Sequence, residues 1–187
     1  MLYFILKSKY KNTNYYSELI IDDFQIDDTG REHAIGFKLG LHYIKPIGLS
    51  WILEYINIDK WVYLHHGNFT SWQNNGKSIG YLYGPDSKAI RFQGSYNFNN
   101  YTVYFGLQKL VKGLNNINTN WNNTVDSGNI NKNDSYLLHC LSIIKKTKYL
   151  LYEIGWNNQA IENEINGNIN LSKTNNQYFF KLIFDKN

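Results

Sequence analysis

The stretch "AIGFKLGLHY", residues 34–43, constrains the fold more than any other part of this chain. Ile35, Phe37, Leu39, Leu41 and Tyr43 fall on one face. Gly36, Lys38, Gly40 and His42 fall on the other. A strict period of two is the signature of an extended strand, whose successive side chains point to opposite sides of a sheet. One face is bulky and apolar; the other is small or charged. "IGLSWILEYINI" (47–58) repeats the pattern, with Ile47, Leu49, Trp51, Leu53 and Tyr55 set against Gly48, Ser50, Ile52, Glu54 and Ile56. In "AIRFQGSYNF" (89–98), Ile90, Phe92, Tyr96 and Phe98 oppose Arg91, Gln93, Ser95 and Asn97. In "YTVYFGLQKL" (101–110), Tyr101, Val103, Phe105 and Leu107 oppose Thr102, Tyr104, Gly106 and Gln108. An Asn-rich hairpin, "NFNNY", joins the last two.

Further strands are expected at 16–26, 136–145, 148–156, 161–171 and 177–184, with a weaker candidate at 2–10. In "SELIIDDFQI" the phase is ambiguous: Asp22 and Asp23 face opposite sides unless a bulge intervenes. "NQAIENEING" is the one segment able to form a short helical turn. The expected fold class is all-β, an antiparallel meander of about 8–10 strands. With 187 residues there is room for one ordinary domain, 1–187. Composition agrees. Aromatics reach 17% and charged residues only 18%, against roughly 25% charged in average soluble domains, which speaks against disorder and against a helical protein.

Whether such strands build a soluble sandwich or a membrane barrel is not decided by alternation alone. No run of about 18 apolar residues exists, so no membrane-spanning helix is expected, but barrel strands hide their apolar faces in alternation. Two features favour a barrel. The apolar faces end in Tyr43, Trp51, Tyr55, Trp61, Tyr63, Tyr96 and Tyr101, as interfacial aromatic girdles require. Short connections ("KP", "NFNN", "KKT") alternate with long polar ones at 67–88 and 112–134. At the C-terminus Tyr178, Phe180, Leu182 and Phe184 share a face, similar to the signal by which outer-membrane barrels are recognised for insertion, although "DKN" follows the last Phe. "MLYFILKSKY" has too short an apolar stretch for a signal-peptide core.

Several functions are disfavoured. Net charge is +4 with scattered lysines, and the group Lys145, Lys146 and Lys148 fits a solvated strand end better than a nucleic-acid patch. The single cysteine, Cys140, leaves no internal disulfide or cysteine-based metal site; within "LLHCLSII" it reads as a buried or lipid-facing filler. "HH" at 65–66 has no third metal ligand at sensible spacing. His65 and His66 beside Ser71 lack the surroundings of a hydrolase triad, and the expectation is no enzyme, no cofactor and no metal.

In order, "ELIIDDFQ", "GFKLGLHYIKPIGLSWILEY" and "WVYLHHGNFTSWQNNGKSIGYLYGPDS" resemble the Wzi-type capsule assembly proteins of the bacterial outer membrane. The matching residues are Asp22–Phe24, Glu54–Tyr55, Tyr63–His65 and Gly84–Asp86, spread over about residues 17–92. Tyr83 departs from the commoner "LGPD". This resemblance implies a closed barrel with a periplasmic helical plug, acting as a lectin that holds capsular polysaccharide at the surface without catalysis. This chain has no plug and about half the strands, so it would be the C-terminal portion of a longer barrel or a reduced relative. Expected partners are capsular or surface polysaccharide, the outer-membrane lipid bilayer and the barrel insertion machinery.

Sugars are held by flat aromatic faces and by amides and carboxylates. Loop 66–88 supplies Trp72, Gln73, Asn74, Tyr81, Tyr83 and Asp86 as candidate ligand-binding residues, although the Gly84-Pro85-Asp86 turn also fits a structural role. Lys38, His42, Glu54, Arg91 and Gln93, with Gln108, are expected to point into the barrel as a lumen network, because buried charges must pair or meet water. Two alternatives remain: a soluble secreted β-sandwich carbohydrate-binding module, and a porin-like outer-membrane channel.

Overall fold

In the computed structural model, residues 2–23, 33–62, 73–74, 77–78, 83–115, 132–147, 150–165 and 168–184 are described. The elements are β1 (Leu2–Tyr10), β2 (Thr13–Asp23), β3 (Ala34–Ile44), β4 (Leu49–Ile58), β5 (Gln73–Asn74), β6 (Lys77–Ser78), β7 (Ser87–Phe98), β8 (Tyr101–Lys112), β9 (Lys132–Lys146), β10 (Leu150–Ile165) and β11 (Asn168–Phe184). Nine of them form one sheet in the order β1-β2-β3-β4-β7-β8-β9-β10-β11, and β5 and β6 form a separate two-stranded ladder. Every neighbouring pair is antiparallel. The chain is therefore an all-β meander, and the sheet does not close on itself. β1 and β11 are its edges and run in the same direction.

Most strand boundaries follow the alternation. The ladder between β2 and β3 shifts register between Ile21 and Asp23, so Asp22 occupies the bulge that the phase ambiguity required. The C-terminal third differs from expectation. Segments 148–156, 161–171 and 177–184 are two long strands, β10 and β11, paired along almost their whole length. Residues 158–165 are strand, with no helical turn. The polar run "NNQAIENEI" has no apolar stripe at helical spacing, whereas the ladders to β9 and β11 satisfy its backbone on both sides. At one end of the sheet β1 leads to β2, β3 to β4, β7 to β8 and β9 to β10 through two to four residues. At the other end β2 leads to β3, β4 to β7 and β8 to β9 through longer sequence, and β10 to β11 through two residues.

The two faces of the sheet differ sharply. The bulky face is open: Leu39, Ile90, Leu107, Ile143, Ile154 and Phe180 are all exposed. Small glycines and charged residues occupy the opposite face. At the long-connection end of that polar face sits the buried core of Ala34, Ile56, Ile58, Val62, Ala89 and Leu110, with Trp61, Tyr83 and Tyr136 packed against it. Trp61 therefore serves this core and not the aromatic girdle. Tyr43, Trp51, Tyr55, Tyr96 and Tyr101 do lie on the bulky face, where Tyr43 and Trp51 stack at 5.5 Å and Trp51 meets Phe92 at 6.2 Å.

The apolar band slants across the hydrogen-bond register. On β3 it runs from Ile35 to Tyr43. Following register partners from Tyr43 through Trp51, Gly94, Phe105, Leu141 and Trp156 leads to Tyr178 on β11. There Tyr178 is the upper border, because Asn176 and Thr174 lie beyond it on the same face. One border thus drops eight positions (35 to 43) over six strand steps, and the other drops six positions (178 to 184). At ~3.3 Å per residue and ~4.8 Å between strands, the slant is about 35–42°.

Candidate functional site

All five residues of the expected lumen network lie on the polar face, three of them in one bonded cluster. Its centre is Glu54, which alternation directs away from the apolar band and which register sets beside Gly40 and Arg91. Gly40 is required here by close approach: a Cβ at that position would run into the Tyr16 ring, which lies across it. The Tyr16 hydroxyl donates to Glu54 Oε1 at 2.7 Å, and Arg91 Nη1 lies 3.3 Å from Glu54 Oε2. Arg91 Nη2 donates to Gln93 Oε1. Next to this cluster Lys38 Nζ is 2.6 Å from Glu18 Oε1 and 5.7 Å from the centre of the Tyr16 ring, while Tyr3 donates to Glu18 Oε2 at 2.9 Å. His42 stands apart, 3.1 Å from Ser50 Oγ. Glu54 is only 9% exposed. A carboxylate so far from water costs several kcal/mol unless paired, and the phenol and guanidinium supply that pairing. Alternation revealed Lys38, Glu54 and Arg91. It did not reveal Tyr3, Tyr16 and Glu18, because β1 and β2 had no fixed phase in the sequence.

Of the six candidate ligand residues, Gln73, Asn74, Tyr83 and Asp86 are described. Trp72 and Tyr81 lie outside the described residues, as do His65, His66 and Ser71. Gln73 and Asn74 form β5, paired with Ser78 and Lys77. Asn75-Gly76, the pair between these strands in sequence, is a strong short hairpin signal. Tyr83 packs on the buried core and its hydroxyl accepts from Gln108 Nε2 at 3.1 Å.

Asp86 is a structural clasp. It adopts φ +53°, after Gly84 at φ +69°, a conformation that Asp tolerates better than most residues. Its backbone links two connections: Asp86 N–H donates to the Asp59 carbonyl at 3.2 Å, and Gly113 N–H donates to the Asp86 carbonyl at 2.8 Å. Its carboxylate accepts from the backbone N–H of buried Asn115 at 3.1 Å and from the side-chain amide at 2.9 Å. Lys112 donates to the carbonyls of Pro85 and Asn115. Burial pulls the Lys112 ammonium down to about 8, and the nearby Asp86 charge only partly opposes this. The turn thus carries the structural role that its proline and aspartate suggested.

Cys140 is not the buried filler expected from its apolar neighbours in sequence. Register places it on the polar face opposite Gly106, and it is exposed. Its neighbours there are carboxamides, in a groove of about 350 Å³ that includes Gln93, Gln108, Asn157, Gln159, Asn175 and Gln177. No cluster of three or more His, Cys, Asp or Glu side chains suited to a metal is present among the described residues.

Of the motifs that resemble the Wzi-type proteins, Asp22 is the bulge, Glu54 the centre of the charged cluster, and Gly84–Asp86 the clasp; Phe24 and Tyr63–His65 fall outside the described residues. Comparison with family models, with curated proteins and with solved structures finds no match to this chain.

Proposed function

We propose that this chain forms nine strands of the wall of a bacterial outer-membrane β-barrel, and that it holds capsular or surface polysaccharide without chemical turnover. The slanted, exposed apolar band carries the proposal. A bilayer is a flat slab, so a level greasy belt on tilted strands must cross the strand register obliquely. The slant of about 35–42° matches the ~35–45° tilt of strands in membrane barrels. Aromatic side chains mark the short-turn border of the band on β3, β4, β7 and β8, at the depth where girdles sit. An apolar groove of about 370 Å³ on this face, beside Leu6, Tyr15, Leu39 and Leu53, has the character of an acyl-chain contact. A soluble sandwich would instead bury such a face beneath a second sheet.

The polar face would then be the interior, where paired charges meet water and carboxamides meet hydroxyl groups. Polysaccharide enters as the ligand from the ordered motifs that resemble the capsule assembly proteins and from the aromatic and amide content of residues 66–88. Exposed Tyr178, Phe180 and Leu182 on the last strand suit recognition by the insertion machinery.

Electrophoresis of the detergent-purified chain with and without boiling tests the membrane reading. A barrel keeps its fold in detergent unless heated, so the unboiled sample should migrate differently from the boiled one. Equal mobility in a chain that stays soluble without detergent would sink the proposal in favour of a secreted carbohydrate-binding module. Conductance in planar bilayers separates a porin-like channel from a closed, sugar-holding barrel.

A further inference from the structure

The polar face changes character halfway across the sheet. From β7 to β11 one row in register reads Gln93, Gly106, Cys140, Asn157 and Gln177. The neighbouring row adds Gln108, Gln159 and Asn175, and together these rows line the groove of about 350 Å³. On the short-turn side, the next row contributes two aromatic rings. Tyr104 is 44% exposed, and the Phe179 ring lies against Gly155, where a Cβ would collide with it. Two charges at the margins are engaged, Arg91 by Glu54 and Lys181 by Glu153, both at 3.3 Å, while Lys173 stands exposed on the same face one row beyond Asn175. What remains is a run of neutral donor-acceptor groups beside aromatic surface, about 19 Å long over four strand steps.

We propose that this groove binds a neutral saccharide segment, a site separate from residues 66–88. Asn157, Gln159, Asn175 and Gln177 each offer both a donor and an acceptor, which matches the hydroxyl groups of an uncharged sugar. Tyr104 offers a flat face to its C–H patches, while the Phe179 ring is already covered by the Lys181 ammonium at 4.8 Å. Along the two amide rows an acidic sugar finds one cation, Arg91, whose terminal nitrogens are already held by Glu54 and Gln93. The inference rests on the polar face being enclosed, as in the barrel proposed above.

The chain supplies its own probe, because its only cysteine lies in the middle of the groove. In the folded full-length chain in detergent, an uncharged maleimide should label Cys140, and maltohexaose should slow that labelling in a saturable way. Oligogalacturonate should not. The Asn157→Leu/Gln177→Leu double variant should need roughly tenfold more maltohexaose for the same protection, the loss expected for about two neutral hydrogen bonds. Saturation-transfer NMR with the same sugar gives a second readout should the thiol prove unreactive. Absence of protection and of transfer, or undiminished binding in the variant, overturns the groove. Equal protection by oligogalacturonate overturns its neutrality. These failures are distinguishable from failure of the barrel itself, which loses the heat-dependent mobility shift in the unmodified chain.

Discussion

The two halves of the polar face solve one problem in different ways. From β1 to β7 the charged groups consume one another: Tyr3 and Lys38 on Glu18, Tyr16 and Arg91 on Glu54. From β8 to β11 the lining is mainly carboxamide, and Asn157, Asn175 and Gln177 are exposed. The first half trades solvation for internal pairing and contributes rigidity. The second keeps its hydrogen-bonding groups available. The difference teaches that polar residues on one face of one sheet need not share a role, and that the satisfied cluster is the structural one.

The largest expected effect comes from breaking the first half. Glu54→Ala leaves the Tyr16 hydroxyl without its acceptor and the Arg91 guanidinium with Gln93 alone. A loss of about 3–5 kcal/mol is expected where a buried pair loses one partner, and Arg91's partial exposure puts this case at the lower end. Denaturant unfolding in detergent measures it. Next comes Gly40→Val, which drives a side chain into the space of the Tyr16 ring and is expected to cost about 1–3 kcal/mol. Adding Tyr16→Ala should remove much of the steric part of that cost. If Gly40→Val costs the same in both backgrounds, the close approach of ring to glycine is not what requires glycine.

How far the sequence revealed this contrast depended on the strength of the local pattern. In β3, β4, β7 and β8 every side chain was assignable to a face, because large apolar residues mostly alternate with small, polar or charged ones, Ile52, Ile56 and Tyr104 being among the exceptions. In β10 and β11 the pattern dissolves. "WNNQAIENEI" and "NLSKTNNQ" are polar on both faces, so neither strand length nor register was legible, and only pairing with β9 fixes them. The amide groove was invisible for the same reason: its members come from strands whose phase had no apolar marker. Glu18 was lost differently. The bulge at Asp22 interrupts the alternation beside it, and a one-residue slip moves every side chain to the other face.

The clasp at the end of the polar face allows a test of intermediate size that depends on pH. The Lys112 ammonium is pulled from 10.5 to about 8 by burial, so between those values the unfolded chain binds more protons than the folded one. Stability rises with pH wherever that holds, so the Lys112 penalty is fully present below about 8 and is relieved as pH climbs towards 10.5. Tyrosines also titrate in the upper part of this range, so the informative quantity is the difference between the parent chain and Lys112→Met. That difference should change steadily across the window, with the parent gaining relative to the variant. Parallel curves would mean that the ammonium is not desolvated as its contacts with Pro85 and Asn115 imply. At neutral pH, Asp86→Ala should cost about 1–3 kcal/mol by stripping two hydrogen bonds from buried Asn115.

The smallest effect on stability sharpens the contrast most. Asn157→Ala removes an exposed carboxamide that lines the groove, and a surface change of this kind stays within about 0.5 kcal/mol. If the amide half serves ligand and not fold, this substitution should leave the unfolding midpoint and the heat-dependent mobility in place while weakening the protection of Cys140 by maltohexaose. Glu54→Ala predicts the reverse ordering, a large loss of stability from a residue outside the groove. A chain in which Asn157→Ala destabilised as much as Glu54→Ala would erase the distinction, since both halves would then be holding the sheet together. The contrast is also testable in a single sample. Denaturant that abolishes the protection of Cys140 by maltohexaose before the mobility shift disappears would show the β8–β11 half opening first, as expected of the half whose polar groups are not locked to one another.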